Sequence, residues 1–159
     1  MEHLVLDTNA IIHIIRQNKF GKSALTWING LSPQPAQIIS VVTKAELETF
    51  SAINKNSWGQ EKLEFLHRFI NGVYCIDIMN TDRELLNHYT FIQAYSQNKM
   101  PDQQGNYKGG SSVNMGKNDL WIAATALLFN ATILTNDNDF QHLHPAVIEV
   151  KRFWEAIYR

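Results

Sequence analysis

The sequence predicts an α/β domain, and three observations carry that prediction. Apolar runs closed by turn residues alternate with stretches whose apolar residues fall at helical spacing, a pattern shown by neither an all-β nor an all-α chain. The length of 159 residues suits one compact domain, for which about 100–150 is typical. A hydrophobic fraction of 45% with a charged fraction of 18% describes an ordinary folded core, not a disordered or fibrous chain.

Leu4-Val5-Leu6 reads as the first strand, followed by a helix that begins near Asn9 and carries Ile11, Ile12, Ile14 and Ile15. Residues 37–42 form the second strand. Thr43 then opens a helix on which Leu47 and Phe50 share a face. Residues 61–70, with Leu63, Leu66, Phe69 and Ile70, make a third helix that Asn71-Gly72 ends. A third strand covers 73–78 and a fourth helix 82–95. The most apolar helix runs over 119–129, and Thr132-Ile133-Leu134 is a short strand after it. Residues 147–150 make another strand, and 154–158 a terminal helical turn or two. Between 97 and 116 the chain is polar and rich in glycine; structureless loops longer than about 12–15 residues are uncommon and are usually functional or disordered. Because the apolar helix follows it, this segment is read as a flexible loop inserted in a single domain spanning 1–159. No internal repeat is present.

Several function classes fall away. No apolar run approaches the ~20 residues of a membrane-spanning helix, and Met1-Glu2-His3 lacks the basic start of a secretory signal, so a cytoplasmic location without membrane contact is expected. The lone Cys75, inside an apolar stretch, reads as a buried inert thiol. Net charge is −1, so no global basic field announces a nucleic-acid partner, though carboxylates gathered around a cation would make the local field far less negative. His142 and His144 sit two apart in a turn-like stretch and read as surface or packing residues rather than a zinc pair. Gly109-Gly110-Ser111-Ser112 lacks the preceding strand and the lysine of a phosphate loop, and no Ser-His-Asp arrangement is evident.

Four acids stand where apolar strands give way to turns or helices. Asp7 follows Leu4-Val5-Leu6, Glu46 lies one turn into the helix after the second strand, Asp119 opens the apolar helix, and Asp137 follows Ile133-Leu134-Thr135. Ligand sites of open parallel sheets lie outside the carboxyl ends of the strands, so such a sheet would bring these acids to one edge. Each has a plainer explanation taken singly. Asp7, Thr8 and Asn9 are all helix-capping types; Thr43-Lys44-Ala45-Glu46 matches a capping box; Asn118 can cap with Asp119 in the first turn; Thr135-Asn136-Asp137-Asn138-Asp139 can be a turn. The set is harder to dismiss, because clustered carboxylates raise one another's pKa and a hard divalent cation removes that penalty. Oxygen-only ligands favour magnesium or manganese.

On these residues the sequence resembles a PIN domain, and specifically the VapC-type toxins of type II toxin–antitoxin systems. The resemblance is carried by Leu6-Asp7-Thr8-Asn9, by Ser40-Val41-Val42-Thr43-Lys44-Ala45-Glu46-Leu47, by Asn118-Asp119-Leu120-Trp121-Ile122-Ala123-Ala124 and by Leu134-Thr135-Asn136-Asp137-Asn138-Asp139-Phe140. All four occur in the family's order and span nearly the whole chain; the 97–116 loop is the departure. The resemblance implies a three-layer α/β/α sandwich on a parallel sheet, with Asp7, Glu46, Asp119 and Asp137 in one acidic pocket. Asp7 and Asp119 match the principal magnesium ligands, with Glu46 and Asp137 acting directly or through water and manganese able to substitute. Thr8, Asn9 and Thr135 match the residues that fix the carboxylates by hydrogen bonds. The implied activity is endonucleolytic cleavage of RNA, of the tRNA or rRNA class, by a homodimer silenced by a cognate antitoxin.

Such a pocket supports in-line attack of water on a phosphodiester, leaving a 5′-phosphate and a 3′-hydroxyl, with position and charge as the protein's contribution. Two other readings stand beside it. An aspartate-nucleophile phosphatase also begins with an acid after a first parallel strand, but it needs a second acid where this chain has Asn9. A degenerate PIN fold that only binds RNA or protein would have lost one or more acids, and none is lost here. Between the two acids of the last motif, Asp137 is assigned to the pocket and Asp139 to capping the short turn toward Leu143.

Overall fold

Residues 1–153 are described by the computed structural model; the helical turns expected at 154–158 lie outside them. Five strands form one parallel sheet: β1 (His3–Leu6), β2 (Ala36–Ser40), β3 (Tyr74–Ile76), β4 (Thr132–Thr135) and β5 (Val150–Arg152), in the spatial order β3-β2-β1-β4-β5. Side chains alternate between the two faces of a strand. Val5, Ile38 and Ile133 therefore enter one core, and Leu4, Leu6, Ile39 and Leu134 the other.

Helices α1 (Thr8–Arg16), α2 (Lys19–Asn29), α3 (Val41–Asn54) and α4 (Gln60–Gly72) cover the second of these faces through Ile11, Ile15, Ile28, Leu47 and Leu66. Helices α5 (Arg83–Ser96) and α6 (Lys117–Leu128) cover the first through Leu85, Ile92, Leu120 and Ile122. With both faces covered, the central strands β1, β2 and β4 are apolar in their buried middles, as buried parallel strands require, while the edge strand β5 carries Lys151 and Arg152. The result is the expected three-layer α/β/α sandwich. The chain passes from β1 to β2 on one side and reaches β4 on the other, so the order of strands reverses at β1, and open parallel sheets place their ligand sites beyond the carboxyl ends at such a point.

Several boundaries differ from the sequence reading. The second strand stops at Ser40, whose Oγ caps α3 by accepting the Val42 N–H at 3.4 Å. Val41, Val42 and Thr43, β-branched and strand-like by type, are thus already helical. The capping box expected at Thr43 and Glu46 is not formed: Thr43 is buried inside the helix with its hydroxyl oxygen unpartnered. Helix α2 was not foreseen. Its signals are the Asn18 cap, whose Oδ1 accepts the Gly21 N–H at 3.0 Å, and the small stripe Gly21, Ala24 and Ile28 that it buries. β5 begins where a strand over 147–150 was expected to end, because Val150 is the residue that pairs with Ile133 while Ile148 drops into the core.

The 97–116 segment carries no helix or strand until its last residue caps α6, and hydrogen bonds run along it. Asp102 Oδ1 accepts the N–H groups of Gln104 and Asn106 at 2.9 and 2.8 Å, and the Val113 N–H donates to Ser96 O at 2.9 Å. Cys75 on β3 is free and only partly buried, and burial still pushes its thiol up. Among the described residues no helix is long and apolar enough to cross a membrane.

Candidate active site

Asp7 occupies the N-cap position of α1 in extended conformation, yet its side chain makes no capping bond. It turns instead across the sheet edge, where Thr135 Oγ1 donates to Asp7 Oδ2 at 2.7 Å. Thr135 is the last residue of β4, paired beside β1, and is fully buried. Its hydroxyl also accepts the Asp137 N–H at 2.8 Å, so one side chain fixes the first acid and the backbone of the fourth. Asp7 itself is 3% exposed.

Asp119 comes from the facing helix. The N-cap of α6 is Gly116 rather than Asn118, and the Asp119 carboxylate reaches back to the Gly116 N–H. A Cβ at Gly116 would stand 2.6 Å from Asp119 Oδ2, so the absence of a side chain there is what admits the carboxylate. Glu46, freed from capping, is held on both oxygens. Thr8 Oγ1 donates to Oε2, and Asn118 Nδ2 donates to Oε1 at 2.6 Å. Asn118 is a site residue that sequence reasoning placed only as a cap. The available signal was its position directly before Asp119.

Asp137 Oδ2 lies 3.4 Å from Asn9 Nδ2, and its Oδ1 accepts the Asp139 N–H at 3.0 Å. Asp139 does not cap the turn toward Leu143. Phe140 is the N-cap of that 3₁₀ turn (Gln141–Leu143), without a side-chain bond, because the chain has already closed through the Gln141 N–H onto Asn138 O. The Asp139 carboxylate instead adds its field to the pocket.

The electrostatics follow from this crowding. Burial pushes Asp7 up to about 7 against the pull of the Thr135 hydrogen bond, and the charges of Asp119 and Asp137 push the same way. Asp119 is raised to about 6, by burial first and then by Asp139, Asp137 and Glu46. The charges that act on these two carboxyls are those of other acids. Carboxylate oxygens are the donors a hard divalent cation prefers, and Asp7 and Asp119 are the residues that could hold one. Among the described residues no three carboxylate, imidazole or thiol groups are drawn together tightly enough to enclose a metal by themselves. Magnesium is commonly held by one or two carboxylates while retaining several waters, so an open acidic edge suits it better than a closed cage.

His142 and His144 are engaged in packing contacts. His142 shares a 2.7 Å hydrogen bond with Ser96 Oγ, and His144 Nδ1 accepts the Val150 N–H at 3.1 Å.

The PIN domain model matches residues 4–144. The chain belongs to the PIN domain family. No curated protein matches it in sequence. Among solved structures it is similar to VapBC-1 from nontypeable Haemophilus influenzae, at 23% identity over 94% of this chain and 97% of that one, with a TM-score of 0.64. It is similar also to VapBC2 from Rickettsia felis, bound to a DNA fragment from its promoter, at 20% identity, 95% and 98% coverage and a TM-score of 0.62. VapBC-5 from Mycobacterium tuberculosis, a member of the VapBC family of toxin–antitoxin systems, aligns at 21% identity over 96% and 100% of the chains with a TM-score of 0.60. At these identities the likeness establishes the shared PIN fold along nearly the full length.

Proposed function

We propose that this PIN protein is a magnesium-dependent endoribonuclease and the toxin of a toxin–antitoxin pair. The observation that carries the nuclease reading is the set Asp7, Glu46, Asp119 and Asp137 beyond the strand ends where the sheet order reverses, with burial and the neighbouring acids raising the Asp7 and Asp119 carboxyls. Asp7 and Asp119 would hold the metal, which when bound neutralises phosphoryl charge and lowers the pKa of water. Thr135 keeps Asp7 in place. Thr8 and Asn118 hold Glu46 by one oxygen each, aimed to orient water for in-line attack on an RNA phosphodiester. A phosphatase using Asp7 as nucleophile is disfavoured, because Asn9, where the second acid would stand, is turned toward Asp137.

The toxin reading rests on the fold shared with VapBC proteins, which is an argument by analogy. It brings with it an inhibitory antitoxin partner, a homodimer, a cytoplasmic site of action and a tRNA or rRNA substrate. The test is cleavage of total RNA with magnesium or manganese, with the cut ends sequenced. Asp7→Asn and Asp119→Asn are expected to lose cleavage while still folding; wild-type rates in either at saturating magnesium would overturn the nuclease assignment. An isolated gene whose expression leaves growth unaffected would overturn the toxin role alone.

A further inference from the structure

Helices α1 and α3 both start at the acidic edge, bridged there by Thr8 and Glu46, and pack against each other as they run away from it. Two features lie along α3. Beside Glu46 a groove of about 400 Å³ is lined by Val42, Glu46, Thr49, Phe50, Ile53 and, from α6, Asn118; Ile53 is 76% exposed. Where α1 ends, Phe50 and Trp58 meet edge to face with ring centroids 4.8 Å apart. Two cations sit over this pair: the Arg16 guanidinium at 5.5 Å from the Phe50 ring and 6.0 Å from Trp58, and Lys62 Nζ at 5.9 Å from Trp58. Phe50 belongs to both features.

Resting on the nuclease reading above, we infer that this groove and its aromatic–cation cluster form a single-stranded RNA track leading from the acidic edge. A base neighbouring the cleaved bond stacks on Phe50, and backbone phosphates beyond it meet Arg16 and Lys62. Three physical points favour RNA as the occupant. Helical rise places Arg16 about 12 Å along α1 from Thr8, a distance that a strand held at the acids spans in a few nucleotides. An aromatic face flanked by lysine and arginine is the chemistry that binds single strands, stacking each base and tracking the polyanion. The acids repel phosphate, so cations set along the same path supply the attraction that the −1 net charge does not.

The experiment measures binding of a fluorescent 12-residue oligouridylate to the Asp7→Asn protein, and cleavage kinetics in the protein with all four acids. Arg16→Gln with Lys62→Gln, both at exposed positions, is expected to weaken binding and to lower the salt slope by about 1.4, the worth of two phosphate contacts on a single strand. Phe50→Leu is expected to weaken binding about fivefold or more, the worth of a stacked base, and Phe50→Trp to restore it. Melting temperatures, read for each, separate lost stacking from lost fold. In cleavage the same variants are expected to raise KM more than they lower kcat. Unchanged affinity, salt slope and KM in all of them would overturn the track. Variants that bind RNA normally but escape inhibition by a protein partner would overturn it too, by making this a protein-docking face. If the four-acid protein cleaves no RNA, the nuclease reading fails on its own, while the binding arm still decides whether this face takes single strands.

Discussion

Thr135 shows how one side chain can serve two acids: its hydroxyl donates to Asp7 and accepts from the Asp137 backbone. Glu46 is arranged differently, with a separate neutral donor on each oxygen. Asn118 is exposed, so Asn118→Ala removes one donor with little effect on packing. A side-chain hydrogen bond in a part-exposed site is worth about 1 kcal/mol net, so cleavage should slow roughly fivefold with the melting temperature nearly unchanged. A rate equal to wild type would remove Asn118 from the site. Asp137 and Asp139 are separable by the same pair of measurements. Asp137 holds the turn through the Asp139 N–H and faces Asn9, whereas Asp139 has no part in capping and raises Asp119 ahead of Asp137. Asp137→Asn should therefore lose activity and some stability together. Asp139→Asn should lose activity without stability if it shares the metal's water shell, and neither if its charge acts only from a distance. A loss of stability confined to Asp139→Asn would contradict the turn described here.

At the scale of elements, the placement of the acids depends on how helices begin. Ser40 rather than Thr43 caps α3, which leaves Glu46 free to cross to Asn118; Gly116 rather than Asn118 caps α6, which draws Asp119 back over the turn. Helix α2 is fixed against α1 by Gly21, where a Cβ would lie 2.0 Å from the His13 carbonyl oxygen. Since the obstacle is backbone, Gly21→Ala must push the two helices apart. Overpacking of this kind costs about 1–3 kcal/mol, or a melting temperature lowered by roughly 3–9 °C in a chain of this size. A thermal scan of the variant checks it, and an unchanged midpoint would show that the helices can slide.

Across the whole molecule, the buried carboxyl sets how stability answers to pH and metal. Asp7 is raised from 3.8 to about 7, so the folded metal-free protein holds a proton that the unfolded chain has lost. Its contribution is intact below about pH 4 and disappears as pH climbs to 7, a decline of ~4 kcal/mol at most. In chelator the melting temperature should thus fall across that window, and Asp7→Asn should flatten the fall. Magnesium or manganese should raise the midpoint by mass action, and more at pH 8 than at pH 5, because the cation displaces the proton. Stability that rises with pH in chelator, or that responds to zinc alone, would contradict an oxygen-ligand site.

The sequence by itself determined the fold class and the first four strands, because apolar runs and the turn residues that close them are contiguous in the chain; the fifth strand it set two to three residues too early. The resemblance already named Thr8, Asn9 and Thr135 for fixing the candidate acids Asp7, Glu46, Asp119 and Asp137; only the tertiary structure decided which acid each one meets, and that Asn118 joins them on Glu46. Thr8 and Glu46 are 38 residues apart, Asn118 and Glu46 72, and Thr135 and Asp7 128. Such partners share no local signal. The same cause explains the capping errors: Thr43 and Asn118 are as good by type as the residues that do the capping, and packing against the sheet chose where each helix starts. Helix α2 escaped notice because it buries Gly21 and Ala24, whose smallness matters only against the backbone of α1.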